Sequence, residues 1–239
     1  MAGKVFVSGD THGAMGISRL GSRPFPQGKS LDKSDLVIIL GDFGVPWVNP
    51  DVGADAYWLD WLEQKPWTTA FIDGNHENFD ILDSLEAERW HGGTVQRLRP
   101  SVIHLMRGQV YEIAGRTFFT MGGADSVDKA YRLPHISWWE REMPSWEEYR
   151  QAELALDAVG WQVDYALTHT CPANFMHAIN PAFTNDELTR FLFDIERRLR
   201  YGAWLFGHHH VDLDLHPKGY NARCVYQDIL ELDGLEGVE

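Results

Sequence analysis

An α/β fold with strands running toward a common point is the class this sequence predicts. Short β-branched and apolar runs alternate with helical periodicity through the first half of the chain, the pattern of a layered α/β domain. Five segments then end in metal-grade side chains: Asp10-Thr11-His12, Gly41-Asp42, Gly74-Asn75-His76, His169 and Gly207-His208-His209-His210. Four of the five directly follow a β-like run. Ligands in open α/β sheets gather beyond the carboxyl ends of strands, so the two patterns agree.

In chain order, residues 4–8 (KVFVS) form a short strand that stops at Gly9-Asp10. Residues 13–34 carry several Gly and Pro and read as loop, with one helical turn near 17–20. Residues 36–40 (LVIIL) are apolar at every position, as in a strand buried on both faces. Residues 55–63 place Tyr57, Trp58, Trp61 and Leu62 at helical spacing. Residues 68–73 (TTAFID) form the third strand, and residues 79–87 read as a helix.

From about residue 94 the pattern turns to short strands at 102–105, 109–113 and 117–121, with hairpin turns expected at Arg107-Gly108 and Ala114-Gly115. Residues 125–144 are the least regular part. Ser145-Trp146-Glu147-Glu148 has capping-box spacing and opens a helix to about 158. Residues 162–168 are a strand ending at His169. Thr184-x-x-Glu187 opens a helix expected to reach 200, its basic end favourable for the dipole. Residues 203–206 form a strand, and 212–215, 223–227 and 229–232 suggest closing antiparallel strands.

With 239 residues, 44% of them hydrophobic, the chain fits one domain spanning 1–239 with a substantial core. The formal net charge of −14 argues against broad binding to duplex nucleic acid or an anionic membrane, which needs fields of Lys and Arg. It does not oppose a phosphorylated substrate, because bound divalent ions reverse the field locally. No apolar run approaches the roughly 18 residues of a bilayer span. Cys171 and Cys224 have no CxxC spacing and are too few for a disulfide framework. With no signal-peptide pattern at the start, a soluble cytoplasmic protein is expected.

Carboxylate, amide oxygen and imidazole together suit divalent transition metals, and they outnumber what one tetrahedral ion can use. The pattern therefore points to a two-metal hydrolytic centre. Asp-x-His after a strand puts Asp10 and His12 on one side of an extended backbone. Alternation sends His208 and His210 to one side and His209 to the other. Cys171 reads as a small buried thiol.

The five segments, in this order, resemble the calcineurin-like metallophosphoesterase family, whose pattern is Asp-x-His, Gly-Asp, Gly-Asn-His-Asp/Glu, a lone His, then Gly-His-x-His. The resemblance spans residues 10 to 210. It implies a four-layer α/β/β/α sandwich of two mixed β-sheets with a dinuclear metal site at strand ends. Asp10, His12 and His210 would hold one ion, Asn75, His169 and His208 the other, and Asp42 would bridge both. His76 would be the catalytic histidine. The ions would be manganese, iron, zinc or nickel, and the reaction hydrolysis of a phosphomonoester or phosphodiester by a metal-bridging hydroxide.

Many relatives, especially the protein phosphatases, carry a second Asp shortly after the bridging one, and it orients the catalytic His. Here the segment reads Gly41-Asp42-Phe43-Gly44 and offers no such acid. The orienting partner of His76 is missing or comes from elsewhere. Strand geometry turns Asp73 and Glu77 aside, and Asp125 or Asp128 of the irregular segment is a candidate. The gap lowers the standing of a serine/threonine protein phosphatase, and the acidic charge that of a nuclease; a non-catalytic metal-binding scaffold would be expected to have lost ligands that this chain keeps. For a small or nucleotide-like substrate, Lys129, Arg132 and His135 are the candidate phosphate contacts. Trp138 and Trp139 would pack the 125–144 segment or stack on a base.

Overall fold

The computed structural model describes residues 3–232. Among these residues thirteen strands and five helices follow in order: β1 (Val5–Ser8), β2 (Leu36–Leu40), α1 (Gly53–Glu63), β3 (Thr68–Ile72), α2 (Phe79–Leu82), β4 (Ala87–Trp90), β5 (Gly93–Arg99), β6 (Val102–Leu105), β7 (Gln109–Ile113), β8 (Arg116–Met121), α3 (Trp146–Ala158), β9 (Gln162–Thr168), α4 (Ala173–Ile179), α5 (Glu187–Glu196), β10 (Arg200–Phe206), β11 (Leu213–Asp214), β12 (Ala222–Cys224) and β13 (Ile229–Glu231). One mixed sheet runs β13-β1-β2-β3-β6-β5-β4 and the other β11-β12-β10-β9-β8-β7.

Alternation along the strands builds four layers. Val5, Val7, Ile38, Leu40 and Ile72 of the first sheet pack against Phe118, Leu167 and Leu205 of the second, which forms the core between sheets. The opposite face of the first sheet, with Phe6, Val37 and Phe71, is covered by Leu59 and Leu62 of α1. The opposite face of the second, with Phe119 and Trp204, is covered by α3, α4 and α5 through Leu156, Phe175 and Leu192. This is the α/β/β/α sandwich of two mixed sheets.

Parallel pairing fixes where the strands end. β1, β2 and β3 run side by side, with Ser8 opposite Ile39 and Leu40 opposite Ile72. In the second sheet Thr168 of β9 lies opposite Phe206 of β10. The ligand-bearing segments follow these ends, and backbone bonds stitch them together. His12 N–H donates to Asp42 C=O at 2.7 Å, and Gly207 N–H to His169 C=O at 2.9 Å.

Several local expectations are corrected. The helix expected at 79–87 stops at Leu82, because the Gln96 amide donates to the carbonyls of Leu82 and Leu85 that another turn would use. A β4–β5 hairpin follows. Arg107-Gly108 is not a hairpin turn: β6 pairs with β3 and β5 in the first sheet, while β7 pairs with β8 in the second. The Ala114-Gly115 hairpin is present. The helix expected at 184–200 begins after Asp186, whose side chain accepts the Thr189 N–H at 2.8 Å. It ends before Arg200, whose N–H pairs with Trp161 C=O instead. Of the closing strands, β11 and β12 pair antiparallel with each other and β13 antiparallel with β1, as expected, while β12 is parallel to β10, because the 3-10 turn His216–Lys218 reverses the chain between β11 and β12. Ser145 caps α3 reciprocally with Glu148, as its spacing predicts. Residues 125–144 hold two 3-10 turns and an isolated bridge between Pro134 and Trp138. Among the described residues no helix is long and apolar enough to cross a membrane.

Candidate metal centre

One donor atom each from Asp10, His12, Asp42 and His210 lies within 4.8 Å of the others. His210 Nε2 is 3.1 Å from Asp10 Oδ2, and His12 Nε2 is 3.6 Å from Asp42 Oδ2. The nearest two nitrogens, those of His12 and His210, are 2.9 Å apart.

The other oxygen of Asp42 faces a second group. Asp42 Oδ1 is 3.3 Å from His169 Nε2, which is itself 3.2 Å from Asn75 Oδ1. The opposite ring nitrogen of His169 lies 2.8 Å from the carbonyl of Leu40. A carbonyl only accepts, so Nδ1 carries the proton and Nε2 presents a lone pair. Potential ligand atoms of His169, Asp42 and Asn75 thus converge on one place, an arrangement that suits a cation. The ring of His208 stands 5.0 Å from that of His169, centroid to centroid, and burial pushes His208 well below its ordinary pKa, leaving it neutral as a ligand must be. Burial, and then the Asp10 carboxylate beside it, push Asp42 well above its ordinary value. Two buried carboxylates this close call for positive charge. On donor chemistry, then, the residues fit two divalent ions that share Asp42.

Backbone strain clusters at the same place. Eight non-glycine residues among those described have positive φ, and four of them are His12, Asp42, His208 and His210. Such strain persists where the surroundings over-determine it. A Cβ at Gly41 would fall 2.1 Å from His169 Nδ1.

The absence of an acid after Asp42 goes with the packing of this turn. Three residues on stands Val45, buried with Phe43 in the core under α1, where an unpaired carboxylate would be costly. Gly44 before it has φ +71°, and a Cβ there would meet Gly13 N at 2.7 Å.

Glu77 takes over part of the work of ordering this loop. Its buried carboxyl accepts the N–H groups of Phe43 at 2.7 Å, Gly44 at 3.0 Å and Gly74 at 3.3 Å, so it clasps the turn that carries Asp42. Asp73 points away, toward His104 and Arg107. Neither acid reaches His76, in agreement with strand geometry.

His76 instead meets Arg132. Guanidinium nitrogens lie 3.2 Å from His76 Nδ1 and 3.0 Å from Nε2. The two ring nitrogens diverge in the imidazole plane, so one guanidinium reaches both only by lying across the ring. Asp128, an expected partner of His76, acts at one remove by holding Arg132 Nε at 2.8 Å. Asp125 pairs with Lys129. Burial, then the Arg132 charge, push His76 down to about 4. At neutral pH its ring is neutral, with one N–H to donate.

Of the three expected phosphate contacts, only Arg132 is brought to the site. Lys129 forms a surface ion pair with Asp125 at 2.7 Å, and His135 one with Asp80 at 2.9 Å. Trp139 is buried against Trp47. His209 points away from the cluster and stacks on Phe183, with Cys171 Sγ 3.5 Å from its Nε2. Cys171 is buried.

Sequence reasoning missed Arg19, Tyr226, Ser126 and Glu142. Arg19 donates to the backbone carbonyls of Asp10 and Tyr226, which fastens the Asp10 loop to the C-terminal part of the chain. Tyr226 stacks on His210, with ring centroids 4.8 Å apart. Nothing local marks these residues, since their partners are remote in sequence. His12, His76 and His210 open onto a cleft of about 820 Å³, walled also by Met15, Pro24 and Tyr226.

A model of the family described as calcineurin-like phosphoesterase matches residues 3–212. No curated protein matches the chain.

Proposed function

The chain belongs to the calcineurin-like phosphoesterase family, which implies a metal-dependent phosphoesterase, and from that premise we propose a hydrolase of small or nucleotide-like phosphomonoesters or phosphodiesters. The observation that carries this reading is the pair of lone-pair clusters on either side of Asp42, one with His12 and the other with His169. Asp10, His12 and His210 would hold one divalent ion, Asn75, His169 and His208 the other, and Asp42 both. Manganese, iron, zinc and nickel all suit this donor set.

When bound, two such ions would supply a nucleophile at neutral pH and would draw charge from the phosphoryl oxygens. The chain's own residues do the rest. Asp42 fixes the spacing of the two clusters, and its Oδ1 accepts the His76 N–H of the backbone at 2.7 Å. That bond ties the catalytic histidine to the bridging ligand. The neutral His76 ring donates its N–H to a phosphoryl or leaving-group oxygen, a role that suits it better than delivery of a proton. Arg132 holds that ring and adds positive charge beside it.

The cleft volume is in the range that takes a small molecule. The buried, apolar Val45, in place of the second acid of protein phosphatases, also favours a small substrate. The buried free thiols of Cys171 and Cys224 suit a cytoplasmic setting. The test is a rate comparison, with manganese present, of an aryl phosphate, an aryl phosphodiester and a dinucleoside polyphosphate. Turnover of a small ester supports the reading, and activity confined to phosphoprotein or duplex nucleic acid overturns it.

A further inference from the structure

We propose that Ser126 and Glu142 are positioning residues that decide which end of the Asn75 amide faces the metal centre. The proposal rests on the two-ion reading above. Asn75 Nδ2 donates to Ser126 Oγ at 3.0 Å, and Ser126 Oγ donates in turn to Glu142 Oε2. Ser126 is 3% exposed and Glu142 1%, so water does not compete for these bonds.

The oxygen and nitrogen of a side-chain amide are nearly alike in shape, and hydrogen bonds alone choose between them. An ionised carboxylate has no proton and only accepts. Ser126 therefore gives its single proton to Glu142. Its oxygen is left as an acceptor and takes an N–H. Nδ2 of Asn75 must face Ser126, and Oδ1 must face His169 and Asp42. Reversal of this relay would aim two N–H groups at the place where a cation is to bind.

Glu142 is itself held from both sides. Its Oε1 accepts the Trp139 backbone N–H at 3.3 Å and lies 4.0 Å from the Arg132 guanidinium. Burial pushes the carboxyl up to about 7, so the relay has this polarity above that pH. One carboxylate thus connects the segment that carries Arg132 to the ligand Asn75. Partners one bond removed from a metal ligand typically change metal affinity 10- to 100-fold.

The experiment is a calorimetric titration of manganese into metal-stripped full-length protein at pH 8, for wild type, Ser126→Ala, Ser126→Thr and Glu142→Gln. The glutamine can donate to Ser126, which frees the hydroxyl proton for Asn75 Oδ1 and turns the amide. Wild type and Ser126→Thr are expected to take up two ions. Ser126→Ala and Glu142→Gln are expected to bind one ion as wild type does and the other about 10- to 100-fold more weakly. Thermal unfolding of each stripped protein identifies a variant that does not fold; if Ser126→Ala fails, Glu142→Gln carries the test. Two ions in wild type with unchanged affinities in the variants, or equal weakening of both ions, overturn the proposal alone. Fewer than two ions in wild type overturn the two-ion reading and the proposal with it.

Discussion

The guanidinium of Arg132 lies across the imidazole of His76, within 3.2 Å of both ring nitrogens. A cation, not a carboxylate, orients the histidine assigned to the substrate. It comes from a segment 56 residues further along the chain. Because Asp128 holds the same guanidinium, Arg132 is fixed before substrate arrives.

Replacing His76 with Ala removes the donor and leaves every assigned metal ligand in the chain, though it takes away the edge-on contact with the His12 ring. The rate is expected to fall about 100- to 1,000-fold at saturating manganese, with metal content unchanged by elemental analysis. Loss of metal in this variant would show that the division between ligand and catalyst is wrong.

Arg132→Ala is expected to lower kcat/KM about 10- to 100-fold, the range for loss of a hydrogen bond to a charged group. Arg132→Lys keeps the charge without the planar fork and should recover only part of the rate. Equal rates for wild type and both variants, measured on one aryl ester, would remove Arg132 from the account.

Gly41→Ala places a Cβ against His169 Nδ1, at a backbone with φ +91°. His169 must then leave the Leu40 carbonyl that fixes its tautomer. A destabilisation of about 2 kcal/mol or more, with weaker metal uptake, is expected in denaturant titrations and metal analysis. A variant as stable and as well loaded as wild type would contradict the packing described.

Asp73 anchors the start of the Asn75-His76 turn from behind. Against burial, which alone would raise it, the Arg107 guanidinium at 2.7 Å and His104 at 3.0 Å hold its pKa below the ordinary value. A lowered carboxylate pKa stabilises the folded state above the unfolded value of about 4 and loses that effect as pH falls toward the folded value. Asp73→Asn should therefore cost about 3 kcal/mol at pH 7. The gap between wild type and variant should narrow below about pH 4, as followed by chemical unfolding across pH. A gap that does not change with pH would contradict the ionic role.

The legible parts of the sequence are those set by short-range physics. β2, apolar at each position, and α3, with its Ser145 capping box, are readable because their signals lie within a few residues. That Asp10, Asp42, Asn75, His169 and His208 lie just beyond strand ends is readable, because each follows a short apolar run. Long-range competition hides the rest. Gln96 removes the carbonyls that would extend α2, and it does so from another strand. Arg107 lies at what reads as a hairpin turn, but its buried bond to Asp73 belongs to a crossing between sheets. Lys129 and Arg132 have equal standing as phosphate contacts in the sequence. Only the fold separates them, pairing one with Asp125 at the surface and laying the other on His76.

The central claim is that two divalent ions on either side of Asp42 make this chain a phosphoesterase. Its most direct test is the hydrolysis rate of an aryl phosphoester by metal-stripped protein as manganese is added. No turnover is expected without metal, and the rate is expected to rise to a plateau at two ions per chain. No turnover at any manganese concentration, or full activity in the stripped protein, would contradict it.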